Sequence, residues 1–135
     1  TKFIKFMGPC FEIVGFRQRN KKFTYLGDIC GDFGFNIKFV VGRKIKFKKL
    51  NLNNLKTSLV SKKNGVKVNG NTNIVYINPL NSIRFVLNKV KKEKINLNKD
   101  FYVFTGSTVG VVPFKGKGLY KGTIDKIGSV NVNIR

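Results

Sequence analysis

Lys44-Ile45-Lys46-Phe47-Lys48-Lys49 alternates between lysine and a large apolar residue. Side chains along a strand project to opposite faces in turn. Ile45 and Phe47 therefore meet a core on one side, while Lys44, Lys46 and Lys48 form a cationic ladder on the other. Similar period-two segments rich in Phe, Val and Ile, separated by Gly, Asn and Asp, predict strands over 11–16, 23–26, 37–41, 44–49, 58–61, 65–68, 73–77, 82–87, 101–104, 110–114, 122–127 and 130–134. Ile-Lys-Phe recurs at 4–6, 37–39 and 45–47, but the uneven spacing marks similar strands and no structural repeat. Turns are expected at 41–43, 63–65, 68–71 and 105–107, and the Asn-Gly pairs within the second and third are tight-turn signals because both residues tolerate positive φ. So many short strands in so small a chain predict an all-β fold, a small closed β-barrel with hairpin extensions. The single helix candidate is short, over 88–97 in the C-terminal third. Residues 1–90 are read as the β-barrel domain, and 91–135 as a basic C-terminal extension packed on it or on a neighbour.

The 135 residues carry 27 Lys plus Arg against 6 Asp plus Glu, a formal net charge of +21. A compact chain with that imbalance repels itself, which calls for a polyanion, and nucleic acid leads. With 41% hydrophobic and 13% aromatic residues, the chain has enough apolar mass to fold and is no disordered basic tail. Lys, Asn, Ile and Phe are abundant while Ala is absent, the drift of codons forced toward A and T, so part of the lysine excess is mutational. The scarcity of acids has no such origin.

The cations fall into clusters. Arg17, Arg19, Lys21 and Lys22 crowd one polar loop between strands, placed to reach phosphates. Arg43 leads the strand ladder of Lys44, Lys46 and Lys48. Lys62 and Lys63, with Lys67, flank an Asn-Gly turn, and Lys91 and Lys92 sit in the basic run 89–94. Lys115, Lys117 and Lys121 alternate with small flexible residues, so that backbone can approach a phosphate chain closely. Tyr25, Tyr102 and Tyr120 lie in polar surroundings suited to stacking on unpaired bases.

Other chemistry is thinly represented. Cys10 and Cys30 are too few for a disulfide scaffold or, without His, for a structural zinc site, and read as small apolar core residues; their redox state stays open. Asp28 and Asp32 are the one close pair of acids. Their Gly-Asp context reads as turn chemistry, with metal binding or acid–base work as the other option. No metal or cofactor is expected. No run of 18 apolar residues predicts a membrane span. The first residues show neither a secretory nor a transit pattern, so a targeting segment is expected to have been removed or not needed.

The order of several motifs carries further information. A basic loop precedes Tyr25-Leu26-Gly27-Asp28-Ile29-Cys30, followed by Gly42-Arg43-Lys44-Ile45, Leu59-Val60-Ser61-Lys62-Lys63, Asn71-Thr72-Asn73-Ile74-Val75-Tyr76-Ile77-Asn78 and Ser82-Ile83-Arg84-Phe85. In order and spacing over roughly residues 8–87 this resembles the L-fourteen family of large-subunit ribosomal proteins. The sequence departs from that pattern at Met7-Gly8-Pro9, at Arg43 where an Asp is usual, in the shortened stretch 67–70 and at 87–90, and residues 91–135 match nothing in it. The resemblance implies a small β-barrel that binds large-subunit ribosomal RNA, touches neighbouring ribosomal proteins and lies near the face where the subunits join. It also implies RNA contacts from the loop 17–22, Lys62, Lys63 and Arg84.

The expected function is thus that of a structural constituent of the large ribosomal subunit. It would bind ribosomal RNA by phosphate neutralisation and shape recognition, without catalysis and not as a free homo-oligomer. The A+T-driven composition points to a mitochondrion, with an organelle-encoded chain or another A+T-rich organelle or organism as variants. The alternatives are a secreted or surface basic β-protein binding an acidic polysaccharide or membrane, and an RNA-processing enzyme built on Asp28 and Asp32.

Overall fold

The computed structural model describes residues 3–17 and 25–135. It contains strands β1 (Phe6–Met7), β2 (Cys10–Val14), β3 (Asn36–Val41), β4 (Ile45–Lys46), β5 (Lys56–Ser61), β6 (Val66–Asn71), β7 (Gly118–Ile124) and β8 (Gly128–Ile134), with helices α1 (Leu26–Gly31) and α2 (Pro79–Lys92). The fold is predominantly β. Among the described residues the strands form three antiparallel sheets, β1-β4, β2-β3 and β6-β5-β7-β8, and none closes into a barrel through its ladders.

The four-stranded sheet is the centre of the molecule. Its inner face carries the alternate residues Thr57, Leu59 and Ser61 of β5, Val66 and Val68 of β6, Tyr120 and Gly122 of β7, and Val130 and Val132 of β8. Of these, Thr57, Ser61, Val66, Tyr120, Gly122 and Val130 are buried, and the apolar core is completed by Leu52, Leu55 and Val75 from the connections. The ribbon β2-β3 lies over β7 and β8. A β-carbon on Gly122 would stand 2.8 Å from Cζ of Phe11, so the missing side chain admits that ring. Residues 118–134 are integral to this sheet, because β7 pairs directly with β5.

The prediction at 82–87 is overturned. That stretch lies within α2, where Asn78 caps the first turn by accepting from the Leu80 N–H at 2.9 Å, and Pro79 stands at the first helical position. Lys89, Lys91 and Lys92 in the last turn complement the helix dipole. Leu80, Ile83, Val86 and Val90 are half-buried at helical spacing, so a 3.6 period underlies what reads locally as alternation. The helix expected over 88–97 therefore starts nine residues earlier and ends at Lys92.

Several other strands are corrected. Residues 73–77 hold a single 3-10 turn, Thr72–Ile74, capped by the Asn71 side chain, followed by Tyr76 and Ile77 at positive φ. Residues 101–104 and 110–114 join no ladder. Of 23–26, Tyr25 is the N-cap of α1 and Leu26 its first residue, while the first two positions lie outside the described residues. Only Ile45 and Lys46 of 44–49 enter a ladder, opposite Met7 and Phe6, and Phe47 adds a hydrogen bond from its N–H to the Lys5 carbonyl at 3.0 Å. Asn64-Gly65 does form the β5–β6 turn, with Gly65 at φ +61°. Asn69-Gly70, by contrast, lies inside β6.

The chain exposes 10467 Å², whereas a self-contained monomer of 15.3 kDa exposes about 7,100 Å². Phe3, Phe33, Val111, Tyr25, Leu26 and Ile77 are each more than 70% exposed.

Candidate nucleic-acid interface

The outer face of the four-stranded sheet follows from the same alternation. Lys67, Val60, Lys121 and Asn131 are register partners across β6, β5, β7 and β8, so they stand in one row. The adjacent row is Asn69, Ser58, Thr123 and Ser129, with Lys56 and Asn71 beyond it. None of the residues of β5–β8 is acidic. Asp125 is confined to the turn after β7, where its N–H bonds the Lys56 carbonyl at 2.9 Å. The face therefore offers ammonium groups interspersed with amide and hydroxyl groups, the donor set that binds phosphate and ribose oxygens.

Two lysine clusters about fifty residues apart in sequence converge at one end of this face. The Asn64 side chain donates to Ser61 Oγ at 3.0 Å and to the carbonyls of Gly116 and Lys117 at 3.4 and 3.5 Å, tying the β5–β6 turn to the entry of β7. Gly118, at φ +143°, lies so close to Lys63 that an added β-carbon would sit 3.3 Å from its Cδ. Val60, Lys62, Lys63, Leu119 and Lys121 line a shallow depression of about 320 Å³ there. The entry loop is fixed by Tyr120, whose hydroxyl donates to the Gly116 carbonyl at 3.0 Å and accepts from the Lys115 N–H at 3.1 Å. Tyr120 is 2% exposed and packs edge-on against Phe114, which corrects its assignment as a base-stacking residue. Tyr25 and Tyr102 are exposed.

Lys62, Lys63, Lys67 and Lys121, with Lys117 at the entry to β7 and Lys115 before it, thus form one continuous region, all exposed. Arg43, Lys44, Lys46 and Lys48 are exposed on and beside β4, in a different sheet, with Ile45 and Phe47 half-buried between them. Arg84 lies mid-helix on α2, and Lys91 and Lys92 end it, all three exposed. Arg19, Lys21 and Lys22 lie outside the described residues. Lys56, Asn69, Asn131 and Asn133 share the sheet face without having been singled out. The alternation Asn131-Val132-Asn133 is the signal that could have found two of them.

Arg17 is engaged within the protein. Its Nη1 donates to Asp32 Oδ1 at 2.6 Å and to the Asp32 carbonyl at 3.0 Å, its backbone N–H to Oδ2 at 3.2 Å, and its Nη2 to the Asn36 carbonyl. Asp32 is 4% exposed. The Arg17 hydrogen bond holds its carboxyl below the usual carboxylate range, against the opposing effect of desolvation, with further help from the Arg17 backbone N–H and charge. Asp28 serves as a helix cap, its Oδ2 accepting from the Tyr25 N–H at 3.1 Å. The segment 27–32 is therefore mostly the short helix α1, where a turn was expected. Cys10 and Cys30 are exposed free thiols, which corrects their reading as core residues. Desolvation, and secondarily the Glu12 charge, push the Cys10 thiol above its ordinary value.

Among the described residues, no helix is long and apolar enough to cross a membrane, and no cluster of three or more His, Cys, Asp or Glu is placed to hold a metal. No family model matches the chain, and no curated protein matches it either.

Proposed function

We propose that this chain is a structural RNA-binding constituent of a large ribosomal subunit, of the L-fourteen type and organellar, most simply mitochondrial. The observation that carries the reading is the outer face of β6-β5-β7-β8, where Lys56, Lys67 and Lys121 stand among Asn, Ser and Thr, with Val60 and Leu119 as its apolar members, Lys62 in the adjoining turn and no acidic side chain in any of the four strands. Such a face gains affinity from phosphate neutralisation, and its amides and hydroxyls suit ribose and phosphate oxygens. The cations on β4 and α2 lie outside that sheet, which suits a protein lodged among several RNA segments and protein neighbours. The large exposed surface supports the same role, since a ribosomal component completes its burial in the particle. Binding and positioning are the whole mechanism, and Asp28 and Asp32 serve the fold.

Sedimentation of a lysate from the source cell, followed by detection of this chain, tests the proposal. Co-migration with large ribosomal particles that is lost after RNase treatment is the expected result. A chain that sediments as free protein, or with membranes regardless of RNase, overturns it.

A further inference from the structure

A second surface lies away from the sheet face. Phe39 of β3 stacks on Phe104 with ring centroids 3.6 Å apart and planes 2° from parallel, and Tyr102 follows as an offset third ring, 6.2 Å from Phe104 and tilted by 16°. The three rings form a staircase rising from a half-buried strand residue to Tyr102, which is 59% exposed. Lys44 Nζ lies 2.9 Å from the Tyr102 hydroxyl and 5.3 Å from its ring centre. An ammonium that close to the oxygen and that far from the centroid sits beyond the hydroxyl edge of the ring, so it does not cover the aromatic face. The same ammonium lies 5.7 Å from the centre of the exposed Phe6 ring.

Cations dominate the exposed end of this staircase, with Lys44 at its edge and Arg43 and Lys46 exposed close by in the chain. Of the acids, Asp100 is paired with Lys5 at 2.9 Å, and Glu12, the register partner of Phe39 at the other end, accepts from Asn36 Nδ2 at 2.8 Å. Near-parallel aromatic steps ending in an exposed ring, with cations at its edge, fit a planar base joined to a phosphate. A wholly apolar partner would leave those cations desolvated and unpaired.

We infer that Tyr102 is a stacking platform for one unpaired RNA base, with Lys44 and Lys46 facing the adjoining phosphate. This rests on the RNA-binding reading above and assigns single-stranded RNA to a site distinct from the sheet face. Stacking is indifferent to base identity, so the site selects unpaired nucleotides over paired ones with little sequence preference.

The test uses the full chain and its Tyr102→Ala and Tyr102→Phe variants, with two probes at one salt concentration. One probe is a short single-stranded RNA bearing 2-aminopurine, and the other is a blunt RNA duplex of the same length. Tyr102→Ala is expected to weaken single-strand binding by about five- to a hundredfold, to abolish 2-aminopurine quenching and to leave duplex affinity unchanged. Tyr102→Phe, which keeps the ring, is expected to retain both affinity and quenching. Unaltered single-strand affinity in Tyr102→Ala, or an equal loss on both probes, overturns the stacking site while leaving the RNA-binding reading intact. Failure of the unsubstituted chain to bind either probe overturns that reading and the site with it.

Discussion

The carbonyl oxygen of Thr108 occupies the space that a β-carbon on Gly70 would need. The Thr57 hydroxyl approaches the same oxygen at 3.4 Å, so β6, β5 and the loop around residue 108 meet at one point on the inner face of the sheet. Gly70→Ala must push the loop and the strand apart. The expected destabilisation is at least about 1–3 kcal/mol, the usual cost of overpacking. It is read as a lower urea midpoint with an unchanged slope. An unchanged midpoint would show that the loop does not pack there.

Lys67 and Lys121 stand on either side of Val60 in one row. Each replaced singly by Ala is expected to lower the slope of log affinity for RNA against log salt by roughly 0.7–0.9, one phosphate contact apiece. Thermal unfolding should barely change, because both side chains are exposed. Slopes that match the unsubstituted chain would remove this row from the interface.

The Arg17–Asp32 pair gives the fold an acid-side sensitivity. Because the folded carboxyl titrates below its unfolded value of about 3.9, its stabilising contribution is complete above that pH and is lost as pH falls through the depressed folded value. Asp32→Asn is expected to be less stable at neutral pH and to lose this part of the decline in acid. Urea midpoints followed from pH 7 downward make the comparison.

Cys10 is exposed, yet its thiol is held above the ordinary range by desolvation and by Glu12. Its alkylation by iodoacetamide should therefore reach half-maximal rate above pH 8.5, the approximate value for an unperturbed thiol. Glu12→Gln should bring that midpoint down modestly. Peptide mass mapping across pH distinguishes Cys10 from Cys30.

The sheet that carries the candidate site was legible in part, since strands expected at 58–61, 65–68, 122–127 and 130–134 overlap β5, β6, β7 and β8. In Val66–Asn71 every second residue is polar or cationic and the structure puts Lys67, Asn69 and Asn71 on one face, whereas β5 breaks the pattern, with Val60 on that face and Thr57 and Ser61 buried on the other. What failed did so for identifiable reasons. Ile83, Phe85 and Leu87 alternate like a strand, but Asn78-Pro79 is a helix start, and the stripe from Leu80 to Val90 has helical period. Asn69-Gly70 has turn chemistry, yet Gly70 serves to admit the Thr108 carbonyl, a contact between distant segments that local sequence does not encode. Arg17 looked like one cation in a phosphate-seeking loop, and only its proximity to Asp32 shows its work inside the fold. The meeting of Lys62 and Lys63 with Lys117 and Lys121 likewise depends on the pairing of β5 with β7.

If the chain is the ribosomal constituent proposed above, its wide exposed surface has a consequence for the cell that makes it. A protein whose apolar residues are covered only inside a particle is most stable when assembled, because binding stabilises the folded form by mass action. On the proposed reading, copies made in excess of their RNA lack that stabilisation, and proteases act on their unfolded fraction. Degradation of the surplus can then match the number of chains to the number of particles, with no dedicated regulator, so stoichiometry becomes a property of the molecule's own incompleteness.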